Sequence, residues 1–105
     1  MQAVFNGSAT SNVINLQPNL SLVGLHIPSG FAGTTMTFQA AAIDDPASTY
    51  RTITAVDGAS TYTVTITADR FIPLDPRVFA GVKLLRLVAA LSNSVTIQIE
   101  ARPIQ

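Results

Sequence analysis

Residues Ala59–Asp75, ASTYTVTITADRFIPLD, alternate threonine with Tyr62, Val64 and Ile66 and then break at a proline-punctuated turn. A period of two places the hydroxyls on one face and the apolar side chains on the other, the pattern of a strand half buried in an antiparallel sheet. Thr and Val are branched at Cβ, which lowers helix propensity and suits a pleated surface. The segment therefore commits the chain to an all-β fold.

The flanking sequence repeats the signal. Val13–Leu16 opens a patterned region, and Leu20–Ile27 reads as a strand closed by Pro28-Ser29-Gly30. In Thr34–Ile43, Met36, Phe38, Ala40 and Ala42 share one face; in Val95–Ala101, Thr96, Gln98 and Glu100 face out. Asp57-Gly58 is a tight-hairpin dipeptide and pairs a weaker strand, Tyr50–Val56, with Thr61–Thr67. Phe71–Leu74 is a short strand, and Asp75-Pro76-Arg77 caps one helical turn carrying Val78 and Phe79, because proline is favoured just inside a helix start. Phe79–Leu91 fits either a helix or a strand; the preceding glycine and following turn favour strand. Seven or eight short strands at regular spacing predict a single antiparallel β-sandwich domain over residues 1–105, jelly-roll-like. Residues 1–12 read as an N-terminal arm or edge strand, and 102–105 as a C-terminal extension.

Composition narrows the function classes. Only 11% of residues are charged and six acids balance six bases, so no basic stripe points to nucleic acid or an anionic membrane. The chain has no cysteine, which removes disulfide scaffolds and thiolate metal sites and suits assembly in a reducing cytoplasm. No apolar run reaches the length of a membrane helix, and the first residues lack the pattern of a secretory signal.

No catalytic constellation emerges. His26, the sole histidine, falls at the end of an apolar strand and reads as a sheet-rim side chain with an ordinary hydrogen-bond partner. Asp44, Asp45 and Asp57 have no EF-hand spacing and read as turn caps and solvated charges rather than calcium ligands. Asp69 and Asp75 are placed to form surface ion pairs with Arg70 or Arg77. The aromatics Phe31, Phe38, Tyr50, Tyr62, Phe71 and Phe79 read mostly as core rather than as a sugar-stacking platform. The expectation is a non-enzyme that needs no cofactor or metal.

Two stretches, Leu20–Ile27 and Val82–Ala90, are apolar on both faces. A two-layer sandwich leaves each strand one wet face, so two-sided apolarity predicts a partner surface, supplied most simply by a homodimer or homotrimer. Leu25, Leu85 and Leu87 are the candidate interface residues.

Three segments carry a family resemblance: LVGLHIPSGFAGTTMTFQAA (Leu22–Ala41), RFIPLDPRVFAGVKLLRL (Arg70–Leu87) and VTIQIEARPI (Val95–Ile104). Their layout, Leu-x-Gly-x-x-x-Pro, then Met-Thr-Phe-Gln, then Leu-x-Pro-x-x-Phe-x-Gly before an apolar strand, resembles small decoration, or cement, proteins of tailed-bacteriophage capsids. The resemblance implies a jelly-roll-like viral structural protein on the virion exterior, made in the host cytoplasm, with the major capsid protein as its partner. It would stabilise an icosahedral capsid by bridging neighbouring subunits. Val4, Phe5, Arg102 and Ile104, outside the alternating core pattern, are the candidate capsid contacts. The alternative is a tail-fibre or baseplate module that recognises carbohydrate.

Overall fold

The computed structural model describes residues 1–16, 20–41, 49–56, 58–79, 82–90 and 94–103. The strands are β1 (Gln2–Asn6), β2 (Ile14–Asn15), β3 (Leu20–Ile27), β4 (Thr35–Ala41), β5 (Tyr50–Thr52), β6 (Val64–Thr65), β7 (Arg70–Pro73), β8 (Leu84–Val88) and β9 (Ser94–Pro103), with a single helical turn, α1 (Pro76–Phe79). All pairings are antiparallel, and they form two sheets ordered β1-β9-β3-β7 and β2-β8-β4-β5. First pairs with last, second with second-last and third with third-last, which is a long hairpin ribbon wrapped into two layers. That nesting is the jelly roll.

β5 and β6 are two halves of one edge strand. β5 pairs with Gln39–Ala41 of β4, Ile53 continues by donating to the Phe38 carbonyl, β6 resumes at Met36 and Thr35, and Ile66 donates to Thr34. Between the halves the chain leaves as a hairpin, closed by Ala55 N–H to Ser60 O (2.7 Å) and Tyr62 N–H to Ile53 O (3.0 Å). Gly58 adopts φ 73° at its tip, where a Cβ would be strained; Asp57 lies outside the described residues. Counting β5 and β6 together gives the eight strands of a jelly roll.

The interior follows the sequence periodicity. Val95, Ile97 and Ile99 of β9, Met36 and Phe38 of β4, Leu85 and Leu87 of β8, and Leu22 and Leu25 of β3 are buried between the sheets. Each such side chain contributes about 1.5–3 kcal/mol of transfer free energy. Tyr62 and Val64 are half-buried and Ile66 buried, while Thr61, Thr63, Thr65 and Thr67 are exposed, so the expected parity holds although the ladder itself covers only Val64–Thr65. One end of the sandwich is closed by Phe38, Phe79 and Tyr62, with ring centroids 5.0–5.9 Å apart. Tyr62 Oη accepts a hydrogen bond from the Asp75 amide at 3.1 Å, which gives the phenol oxygen a partner while its half-buried ring packs against the core. Asp75 then caps α1, its Oδ1 accepting from the Arg77 amide at 3.0 Å.

Within Phe79–Leu91, Phe79 closes α1 and Leu84–Val88 forms the inner strand β8 between β2 and β4, as the strand reading expects. The span expected for β3 is the observed one, but its two-sided apolarity has an internal cause. β3 carries a bulge between Leu22 and Gly24 against β9, so Val23 is extra and the inward parity moves from Leu22 to Leu25 and Ile27. Leu25, Leu85 and Leu87 are fully buried in the core of one chain. They are therefore removed as oligomer-interface candidates, because no partner can reach them without separating the sheets.

Of the two readings of residues 1–12, arm or edge strand, the structure forms the edge strand, Gln2–Asn6; Arg102 and Pro103 belong to β9 rather than to an extension. Residues 9–11 cross to the other sheet, where Ala9 and Ser11 bond the backbone of Ala89 and Leu87.

Candidate functional site

The outer face of the β1-β9-β3-β7 sheet carries a row of side chains that crosses all four strands: Gln2, Gln98, His26 and Phe71, each directly opposite the next. All four are exposed. In the neighbouring row Gly24 lies between Glu100 and Pro73. With no side chain at Gly24, the Phe71 ring folds across the strand there; an added Cβ would sit 2.3 Å from Phe71 Cζ. His26 packs against the same ring, centroids 4.8 Å apart at 50°.

Glu100 binds on two sides. His26 Nε2 lies 3.1 Å from Glu100 Oε1, and Arg102 Nη2 lies 3.5 Å from Glu100 Oε2. A carboxylate accepts, so His26 Nε2 is the donor in this contact. Val23, turned outward by the bulge, joins His26, Phe71, Glu100 and Arg102 around a shallow cleft of about 270 Å³. The cleft lining offers a half-exposed aromatic ring, a carboxylate, a guanidinium and an imidazole. Among the described residues its lining includes no serine, threonine or cysteine.

The opposite sheet has a closed outer face. Gln39 and Arg86 stand opposite each other on β4 and β8, and Arg86 Nη2 donates to Gln39 Oε1 at 2.8 Å. The Arg86 guanidinium carbon lies 3.8 Å from the Tyr50 ring centroid, a stacked cation–π contact. This arrangement covers the outer side of β8, so the second two-sided apolar stretch is also accounted for within the chain.

Of the candidate capsid contacts, Val4 is exposed on β1 and Arg102 is exposed on β9, its side chain 71% accessible. Phe5 is fully buried, because β1 alternates and points Ala3 and Phe5 inward; it is removed as a surface contact. Ile104 lies outside the described residues, as do Asp44 and Asp45. Among the described residues no group of three His, Cys, Asp or Glu side chains is arranged to hold a metal. Asp75 pairs with Arg77 at 2.9 Å, and the hydrogen bonds from Arg77 hold its carboxyl below the ordinary carboxylate range. His26 has the ordinary partner expected of it. Phe71 was expected in the core and is 48% exposed. In Arg70–Leu74 the inward positions go to Ile72 and Leu74, and the proline-interrupted run is too short for its parity to be read from sequence.

Comparison with family models, curated proteins and solved structures finds no match to this chain.

Proposed function

We propose that this chain is a non-enzymatic viral structural protein that decorates and stabilises an icosahedral phage capsid, bridging neighbouring capsid subunits. The observation that carries the reading is the β1 edge. Three of the five exposed large apolar side chains among the described residues, Met1, Val4 and Val13, lie along it. At its centre the backbone is blocked against strand addition, because Asn12 Oδ1 accepts from the Val4 amide at 2.7 Å and the Asn12 backbone amide donates back to the Val4 carbonyl. An apolar edge with its centre blocked in this way suits side-chain docking rather than fibre growth. Further support is that the three segments with the decoration-protein layout build the central strands of both sheets, β3, β4, β8 and β9. They account for a rigid scaffold; the mechanism is mechanical. Weak contacts to adjacent capsid subunits, linked on one rigid body, reinforce each other by about 10²–10⁴ in overall binding.

The test is co-sedimentation with expanded capsids of the virus that encodes the chain. The expected result is saturable, stoichiometric binding that raises capsid resistance to heat, with no binding to unassembled subunits. Val4→Asp together with Val13→Asp should weaken binding about tenfold while leaving the melting temperature unchanged, a loss of roughly 1.4 kcal/mol. A protein that ignores capsids overturns the reading, and one that instead binds whole cells through surface glycans favours the tail-module alternative.

A further inference from the structure

The cleft between β3, β7 and β9 is built around an unusual pair of choices. Gly24 sits mid-strand, where glycine forfeits packing and conformational stability, and Phe71 lies across it with 48% of its surface in water. A glycine inside a strand commonly marks a place where something approaches the backbone closely. Here the approaching group is the Phe71 ring itself, which fills the space over Gly24, and its water-exposed part presents an apolar surface beside polar groups: Glu100 as acceptor, Arg102 as donor, and the His26 imidazole.

From this geometry we propose that the outer face of the β1-β9-β3-β7 sheet binds a neutral pyranose, the C–H face of the sugar stacking on Phe71 and its hydroxyls bonding Glu100, Arg102 and His26. Charge selects the class. Glu100 already neutralises Arg102 and engages His26, so the cleft has no surplus positive charge for a phosphate or sugar acid. Donors and acceptors of both kinds remain, which is what a polyol requires. Size limits the occupant to one ring, since about 270 Å³ falls at the lower end of ligand clefts. The site is separate from the docking edge: β1 and β7 are the two edges of the sheet, three strand spacings or about 14 Å apart, so a capsid seated on the β1 edge leaves Phe71 in solvent.

The experiment is an amide NMR titration of the whole protein with the methyl glycosides of glucose, galactose and mannose at millimolar concentrations, with methyl glucuronide as the charged control. Saturable shifts at Val23, Gly24, His26, Phe71, Glu100 and Arg102 with at least one neutral glycoside are expected. Phe71→Ala should weaken binding about tenfold, the scale of one lost aromatic contact. Glu100→Gln, which preserves shape, should weaken it severalfold and decides the matter if Phe71→Ala alters the fold. The Val4→Asp variant should bind sugar as the parent does, which separates this site from the capsid reading. Absence of saturation with all three neutral glycosides, tighter binding of the glucuronide, or affinity unchanged in the folded variants overturns the proposal.

Discussion

β3 and β8 look alike as sequence and are built differently. Each is an apolar stretch flanked by sheet neighbours on both sides. In β3 the apolar residues other than Val23 belong to one face, because the bulge at Val23 resets the parity and leaves Val23, Gly24 and His26 on the outside. In β8 the parity is regular, and the outer side is covered by Arg86 with its partners Gln39 and Tyr50. A run of apolar side chains is thus evidence for burial but not for a second subunit. The difference also divides the two outer faces by use. The β8 side is covered by Arg86 lying between Gln39 and Tyr50, its Nη2 bonded to Gln39 and its buried Nε without a partner, whereas the β3 side stays open around Phe71.

The comparison breaks most visibly in the core. Leu25→Ala in β3 and Leu87→Ala in β8 should each destabilise the protein by about 2–5 kcal/mol, measured by urea denaturation, since both leave cavities between the sheets. If Leu25→Ala costs less than 1 kcal/mol, its inward assignment after the bulge is wrong.

A smaller effect separates the outer faces. Gly24→Ala should cost about 1 kcal/mol, the low end for an inserted methyl, because the group in its way is the free end of a side chain. The variant should displace the Phe71 ring, seen as loss of the ring-current shift on His26. Added to Phe71→Ala, the same substitution should cost less than it does alone, a coupling that a double-mutant cycle detects. Additive costs would mean that the ring does not depend on the glycine.

Smallest of the three is the seal over β8. Tyr50→Leu should cost about 0.5–1 kcal/mol, the worth of a partly exposed cation–π contact, and should leave the β3 face unchanged by amide NMR. Equal shifts on both faces would show that the two sheets' outer surfaces are coupled through the core rather than independent.

Much of the fold is legible in the sequence because parity is a local property. The threonine face of 61–67, the buried Val95, Ile97 and Ile99, and the Asp75-Pro76 helix start follow from spacing and capping alone. What escapes is whatever a distant residue decides. The bulge at Val23 is set by register against β9, and the sequence marks it only with the neighbouring glycine. Phe5 reads as peripheral because QAVFN is short, yet pairing with β9 turns it inward. The continuity of β5 and β6 along β4 is hidden by the hairpin that separates them. The cleft drew on two residues visible in advance only as a rim histidine and a core-like phenylalanine; cross-strand register puts them side by side.

The position of β9 has a consequence for biosynthesis. It lies between β1 and β3, so residues 94–103 must leave the ribosome before β1 can join its sheet. Until then Ala3 and Phe5 lack their cover, and β1 and β3 present open strand edges to every nascent chain nearby. Folding of half the molecule consequently waits for β9 and is slow, as topologies dominated by distant pairings are. High expression should expose this interval first, through aggregation of truncated chains rather than of the finished protein.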